Sequence, residues 1–182
     1  MEKVILARIG EIALKGLNRS VFEQRLACHI RWSQSRYYVE PETENFDFET
    51  ALERLSGVFG LVSVSPAYAT RSEYSDISTL AKEVVRNILD GGSKAGKTEF
   101  TFKIETKRGL KTFPMTSPEI SSEIGGDLVE TFENLHVDVN HPDFILYIEV
   151  REAAYLYSEI IEAPGGMPTG TNGKACRRLH DC

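Results

Sequence analysis

Apolar and polar residues alternate from Phe100 onward, with Phe100, Phe102 and Ile104 on one side and Thr101, Lys103 and Glu105 on the other. That is the period of a strand with one buried face. The alternation gives way to a basic loop, Thr106-Lys107-Arg108-Gly109-Leu110-Lys111, and then to a helical period at Ile120, Ile124, Leu128 and Phe132. Ser117-Pro118-Glu119 supplies the start of that helix: an N-cap, a proline at the first helical position and an early acid. The apolar stripe pins the helix to a sheet. Its other side, with Ser121, Ser122, Gly125 and Gly126, is small enough for another chain to approach closely.

Upstream, Lys3 to Ile9 is a nearly continuous apolar run, which predicts a strand buried on both faces. Asn18 is placed to cap a helix from Arg19 to Trp32, with Phe22, Leu26 and Ile30 inward and Cys28 as a small buried hydrophobe. Arg36 to Glu40 reads as a short strand and Pro41 to Asn45 as a turn. Asp47 caps a second helix through Leu55, with Phe48, Leu52 and Leu55 inward, and Leu61 to Ala67 is a further strand. This order predicts a reduced ferredoxin-like α/β unit. Thr70 to Tyr74 reads as a polar connector and sets a domain boundary.

Beyond it, Asp76 to Leu89 is a helix, stopped by Asp90-Gly91-Gly92-Ser93-Lys94-Ala95-Gly96-Lys97. Val137 to Val139 is a short strand and Asn140-His141-Pro142-Asp143 a turn. Phe144 to Arg151 is an apolar strand, and Ala154 to Ile161 its hairpin partner across Glu152-Ala153. The fold class is therefore α/β (α+β).

Composition changes this picture little: 182 residues, 41% hydrophobic and 26% charged, are ordinary for a soluble globular protein. No apolar run approaches the roughly 18 to 20 residues that span a bilayer, and Met1-Glu2-Lys3 leads straight into a strand, so the expected location is cytoplasmic, with no membrane partner. Three widely separated cysteines argue against a disulfide framework. A net charge of -6 speaks against indiscriminate nucleic-acid binding, but the charge is uneven. Residues 1–36 hold seven Lys or Arg against three acids, and residues 97–111 hold five against two. Two basic patches on an acidic body suit directed RNA contact, with solvated charged faces as the alternative.

Four ordered segments carry a family resemblance: R-I-G-E-I-A-L-K-G-L-N-R from Arg8 to Arg19, the stretch from Phe100 to Gly126, V-D-V-N-H-P-D from Val137 to Asp143, and P-G-G-M-P-T-G-T-N-G-K-A from Pro164 to Ala175. Together they resemble the N-terminal half of the sulfurtransferases that make 4-thiouridine in transfer RNA, a family related to thiamine biosynthesis. The resemblance implies a ferredoxin-like domain over 1–70, a THUMP RNA-binding domain over 71–163, and a linker or tail over 164–182 where the family's ATP-binding catalytic domain begins. About fourteen residues separate Trp32 from Asp47. A complete ferredoxin-like unit needs two strands there, so one strand is expected to be missing or merged into the helix end, which leaves open any dimer contact through that hairpin.

What the resemblance implies for partners is transfer RNA, held by its single-stranded 3′ CCA acceptor end. In the family the first basic loop lies near the RNA, so Lys15, Asn18 and Arg19 are candidate contacts; Asn18 serves equally as a cap. Lys103, Lys107, Arg108 and Lys111 are placed to neutralise phosphates, with Lys103 alternatively the solvent face of its strand. Phe113 and the helix face bearing Ser122, Gly125 and Gly126 would let unstacked bases lie against the protein.

Signs of catalysis are absent from this reading. His141 is a turn residue without a partner spacing; Glu119, Glu123, Asp127 and Glu130 read as a solvated helix face; Gly165-Gly166 is a linker pair. Where the resembled synthetases open an ATP-binding strand and a Ser-Gly-Gly-x-Asp-Ser loop, this chain gives Ala175 to Cys182 instead. Cys176, His180 and Cys182 lack the count and spacing of a zinc site. The expectation is a non-catalytic RNA-binding module with no metal and no cofactor of its own, ATP belonging to the full-length family. Two alternatives stand beside it: one part of a synthetase whose catalytic domain is on another chain or lost, and an α/β domain that binds protein. A homodimer is left open.

Overall fold

The computed structural model describes residues 2–9, 31–33, 36–39, 47–94 and 96–166. They form two compact units, one running from Ile5 to Val64 together with residues from Ile160 onward, the other holding the residues before Ile5 and Ser65–Glu159.

In the first unit the apolar run at the start of the chain is strand β1 (Glu2–Ile9), and Ile5, Leu6 and Ala7 are all fully buried. Consecutive buried residues require cover on both sides of a strand, as the run predicts. Two strands follow rather than one. β2 (Arg31–Ser33) and β3 (Arg36–Val39) form an antiparallel hairpin with Trp32 opposite Tyr37, and β3 pairs with β1, Ile5 opposite Val39. This corrects the helix end at Trp32, and of the two expectations for the second strand, missing or merged into the helix end, the second holds. Trp32 and Tyr37 are residue types that favour strands, and the helical period at Phe22, Leu26 and Ile30 extends no further. The rest of the expected helix, with Asn18 and Cys28, lies outside the described residues.

Helix α1 (Phe48–Ser56) starts where Asp47 predicts: one carboxylate oxygen accepts from the Thr50 amide at 3.1 Å and the other from the Thr50 hydroxyl. Phe48, Ala51, Leu52 and Leu55 pack against Ile5, Ala7, Leu61 and Val64.

β4 (Leu61–Arg71) is longer than expected, so Thr70 and Arg71, assigned above to a connector, are strand residues paired with Ala154 and Ala153. Its first part pairs with β9 (Ile161–Glu162), a strand not expected separately. The chain then stays beside β4: the Gly165 amide donates to Leu61 O and the Gly60 amide to Gly165 O, both at 2.7 Å. Gly165 makes this turn at φ +64°, a conformation costly for any residue with a Cβ.

The second unit contains α2 (Tyr74–Lys94), β5 (Phe100–Arg108), α3 (Ser117–Thr131), β6 (Leu135–Val137), β7 (Phe144–Val150) and β8 (Ala153–Tyr157). Its strands run in the order β4-β8-β7-β5-β6. β5 lies parallel to both β6 and β7, and the β7–β8 hairpin and the β8–β4 pair are antiparallel. One core joins Phe100 and Phe102, Leu146, Ile148 and Val150, and Ala154 and Leu156 from the strands to Ile77, Ala81 and Val85 of α2 and Ile120, Ile124 and Leu128 of α3.

The glycine pair does not stop α2, which continues through Gly91 and Gly92 to Lys94. A Cβ built on Gly92 would lie 2.3 Å from Cε1 of the buried Phe100 ring. Gly92 is thus where the helix passes an aromatic side chain, not a terminator. β6 begins two residues earlier than expected because Leu135, fully buried, is its anchor opposite Phe100. Among the described residues no helix is long and apolar enough to cross a membrane.

Candidate nucleic-acid interface

The basic loop and the start of α3 meet at the end of β5. Alternation along β5 sends Phe102, Ile104 and Thr106 toward α3, where the Thr106 and Ser121 hydroxyls are hydrogen-bonded at 2.8 Å. Lys103 and Lys107 fall on the other face. Lys103 is 2.9 Å from Glu105, so its charge is already balanced, whereas Lys107 is exposed.

After Arg108 the chain turns sharply: the amides of Gly109 and Leu110 both donate to Val150 O, at 2.7 and 3.1 Å. A Cβ on Gly109 would come within 3.2 Å of the Arg151 side chain, so the close approach suits glycine. Leu110, Phe113 and Met115 then turn inward onto the core, leaving Lys111, Thr112 and Pro114 exposed. Arg108 closes the loop from the inside, its Nη1 donating to Phe113 O at 3.3 Å and Met115 O at 3.2 Å. Its backbone amide donates to the Ser117 hydroxyl at 3.2 Å.

The N-cap of α3 is Thr116, one residue before the serine expected there. The Glu119 carboxylate accepts from the Thr116 amide at 2.7 Å, the return arm of a capping box, and this bond leads the causes that hold its pKa below the ordinary value. Glu119 is a cap and at the same time exposed, as Glu123 and Glu130 are. Asp127 alone departs from that solvated row: it accepts from Ser78 Oγ at 2.6 Å and Tyr74 Oη at 2.9 Å and so ties α3 to α2. The Ser78 bond chiefly lowers the Asp127 pKa; burial, then the bond to Asp127, pushes the Tyr74 phenol up to about 12.

The expected site residues thus separate. Lys107 and Lys111 are exposed at the strand end and in the loop, while Arg108 is turned onto the loop's own carbonyls. Ser122 and Gly126 are exposed along α3, with open space where a Gly126 Cβ would stand. Gly125 is buried, its Cβ position 3.9 Å from Ile104 Cδ1, so it serves helix–sheet packing rather than an open groove. Phe113 is only 5% exposed, and the base stacking expected of it is not available in this geometry. Leu110 and Met115 pack onto the same core beside it, so the loop is an apolar hook. Lys15, Asn18 and Arg19 lie outside the described residues.

The Asn140 to Asp143 turn is a structural knot. Asp138 Oδ1 accepts from the amides of Asn140 and His141, and Asp143 accepts from Lys97 and from both amide and hydroxyl of Thr101. The Lys97 bond leads the causes that hold Asp143 at a pKa of about 2. His141 donates only its backbone amide among these bonds. No group of three or more His, Cys, Asp or Glu is placed to hold a metal among the described residues, which do not include Cys176, His180 or Cys182.

The fold and the loop place the chain in a recognisable class. The chain matches the THUMP domain family over residues 71–159 and the ThiI ferredoxin-like domain family over residues 4–65. It is a ferredoxin-like domain followed by a THUMP domain, with the strand hairpin of the former complete. More particularly, the chain is 50% identical to a probable tRNA sulfurtransferase of Acetivibrio thermocellus over 96% of its own length and 46% of that protein's. The chain spans about half the length of the curated relatives it matches. Among solved structures, a 4-thiouridine synthetase in complex with RNA and with bound ATP superposes over 96% of this chain and 45% of that one, with a TM-score of 0.79 at 29% identity. A protein of Pyrococcus horikoshii superposes over 93% and 58%, with a TM-score of 0.78.

Proposed function

We propose that this chain binds transfer RNA at its 3′ CCA acceptor end and that its own residues perform no chemical step, serving 4-thiouridine formation by holding the substrate. One observation carries the reading: Lys107 at the end of β5 and Lys111 in the loop that follows are both exposed, in a domain of the THUMP class. Two exposed cations so close along the chain give the strand end and the loop a local positive charge that favours phosphate. Ser122 and Gly126, one and two turns further along α3, leave its outer side low enough for a nucleotide backbone to lie close. Lys15, Asn18 and Arg19 are proposed as further RNA contacts, as the family resemblance implies. Lys103 is left out, because Glu105 neutralises it.

The test is titration of a labelled acceptor-stem minihelix over a range of salt. Binding should weaken linearly in log–log form as salt rises, and Lys107→Ala or Lys111→Ala should each lower the slope by roughly 0.7 to 0.9. Salt-independent binding, or slopes unchanged in both variants, would overturn the proposal.

The 46% share of the sulfurtransferase relative favours a second reading, in which the chain is the substrate-holding part of an ATP-dependent sulfurtransferase. Adding a separately produced ATP-binding domain of such a relative should then restore thiolation of bound transfer RNA; no thiolation by the mixture counts against it.

A further inference from the structure

The geometry points to Arg108 as a positioning residue, one that shapes the RNA-binding loop without itself touching phosphate. The inference rests on the RNA-binding reading above and assigns one cation of the site a different task from its neighbours. Three bonds define that task. The guanidinium Nη1 donates to Phe113 O and Met115 O, and the backbone amide donates to Ser117 Oγ. These acceptors lie on the far limb of the loop and on the first residue of α3, so Arg108 clamps the strand end, the loop and the helix start together.

The apolar side chains of the loop point the same way as the clamp. Phe113 is buried, and Leu110 and Met115 pack onto the same core, so the loop is fastened below while Lys111 and Pro114 face out. Lys107, the preceding residue on the opposite face of β5, makes no such bond in the structure and is exposed. A guanidinium is suited to the inner role: the two hydrogens of Nη1 are fixed in one plane and serve both carbonyls, and the group remains charged when partly buried. A lysine ammonium keeps the charge but ends one atom short of Nη1 and lacks its fixed plane.

Arg108→Lys and Arg108→Ala, each with and without Lys111→Ala, separate the two tasks in minihelix titrations. For a positioning residue, Arg108→Lys should weaken binding about tenfold, nearly as much as Arg108→Ala, even though the charge is kept. It should cost little more when Lys111 is already absent, because both changes remove the same presentation of the loop. Wild-type affinity in Arg108→Lys, or losses that simply add to that of Lys111→Ala, would overturn the inference and make Arg108 a phosphate contact. Hydrogen exchange without RNA gives an independent readout: amides 110–116 should exchange faster in both Arg108 variants while α2 and β7 keep their protection. Unchanged exchange there would overturn the clamp even if the RNA-binding reading stood. Failure of the wild-type chain to bind any minihelix would sink that reading and leave the exchange result to judge the clamp.

Discussion

A single carboxylate on the outer turns of α3 shows how far a side chain can depart from its sequence role. Asp127 falls at the spacing of a solvated acidic row, yet it takes hydrogen bonds from Tyr74 and Ser78 of α2. The partners are about fifty residues away, beyond the reach of any local pattern. Asp127→Ala should destabilise the protein by about 1–3 kcal/mol, because Ser78 and the Tyr74 phenol are left without their acceptor; urea denaturation reads the change. Tyr74 carries a pH signature of the same contact. Its folded pKa, about 12, lies above the ordinary 10, so the neutral phenol is the form the fold favours. That contribution is fully present below pH 10 and is lost as pH rises from 10 to 12. Tyr74 should therefore ionise late in an ultraviolet phenolate titration of the folded protein, and Asp127→Asn should move that late component to lower pH. Asp143 runs in the opposite sense. Its pKa is depressed to about 2 from 3.8, so its contribution is present above 3.8 and fades as pH falls toward 2. Asp143→Asn should flatten the loss of stability over that interval of acid.

Elements were more legible than residues, for a physical reason. The period-two alternation of β5 and the 3.6-residue stripe of α3 are direct consequences of burial on one face, and both stand as read, with Ile120, Ile124 and Leu128 fully buried. What escaped was decided by tertiary partners. β2 is only three residues long and needs β3 to exist, so nothing in Arg31–Ser33 alone separates it from the end of a helix. Phe113 was legible as an aromatic but not as a buried one, since that depends on the loop folding back. The end of α2 makes the same point through two adjacent glycines. Glycine normally costs a helix interior about 1 kcal/mol relative to alanine, so Gly91→Ala, with nothing within 4 Å of its Cβ, should be neutral or stabilising by up to about that amount. Gly92→Ala should instead destabilise by about 1–3 kcal/mol, because the Phe100 ring it would strike is buried and has nowhere to swing. Thermal melts of the two variants should move apart; equal shifts would contradict the packing described for this helix end.

At the scale of the whole molecule, an acidic protein of net charge -6 is assigned to a polyanion, and the resolution lies in distribution. Residues 97–111 hold five bases and two acids, and the structure divides even these: Lys97 is tied to Asp143, Lys103 to Glu105, Arg108 to loop carbonyls. Lys107 and Lys111 are what remains outward. A site with so few phosphate contacts cannot hold RNA by charge alone and needs recognition of an unpaired end, where bases and backbone can follow the shape of a groove. The measurement that tests this most directly is the affinity of two acceptor-stem minihelices, identical except that one lacks its 3′ CCA, at a single fixed salt concentration. The minihelix with the CCA end should bind at least about tenfold more tightly, a difference of some 1.4 kcal/mol. Equal affinity for the two would contradict the account.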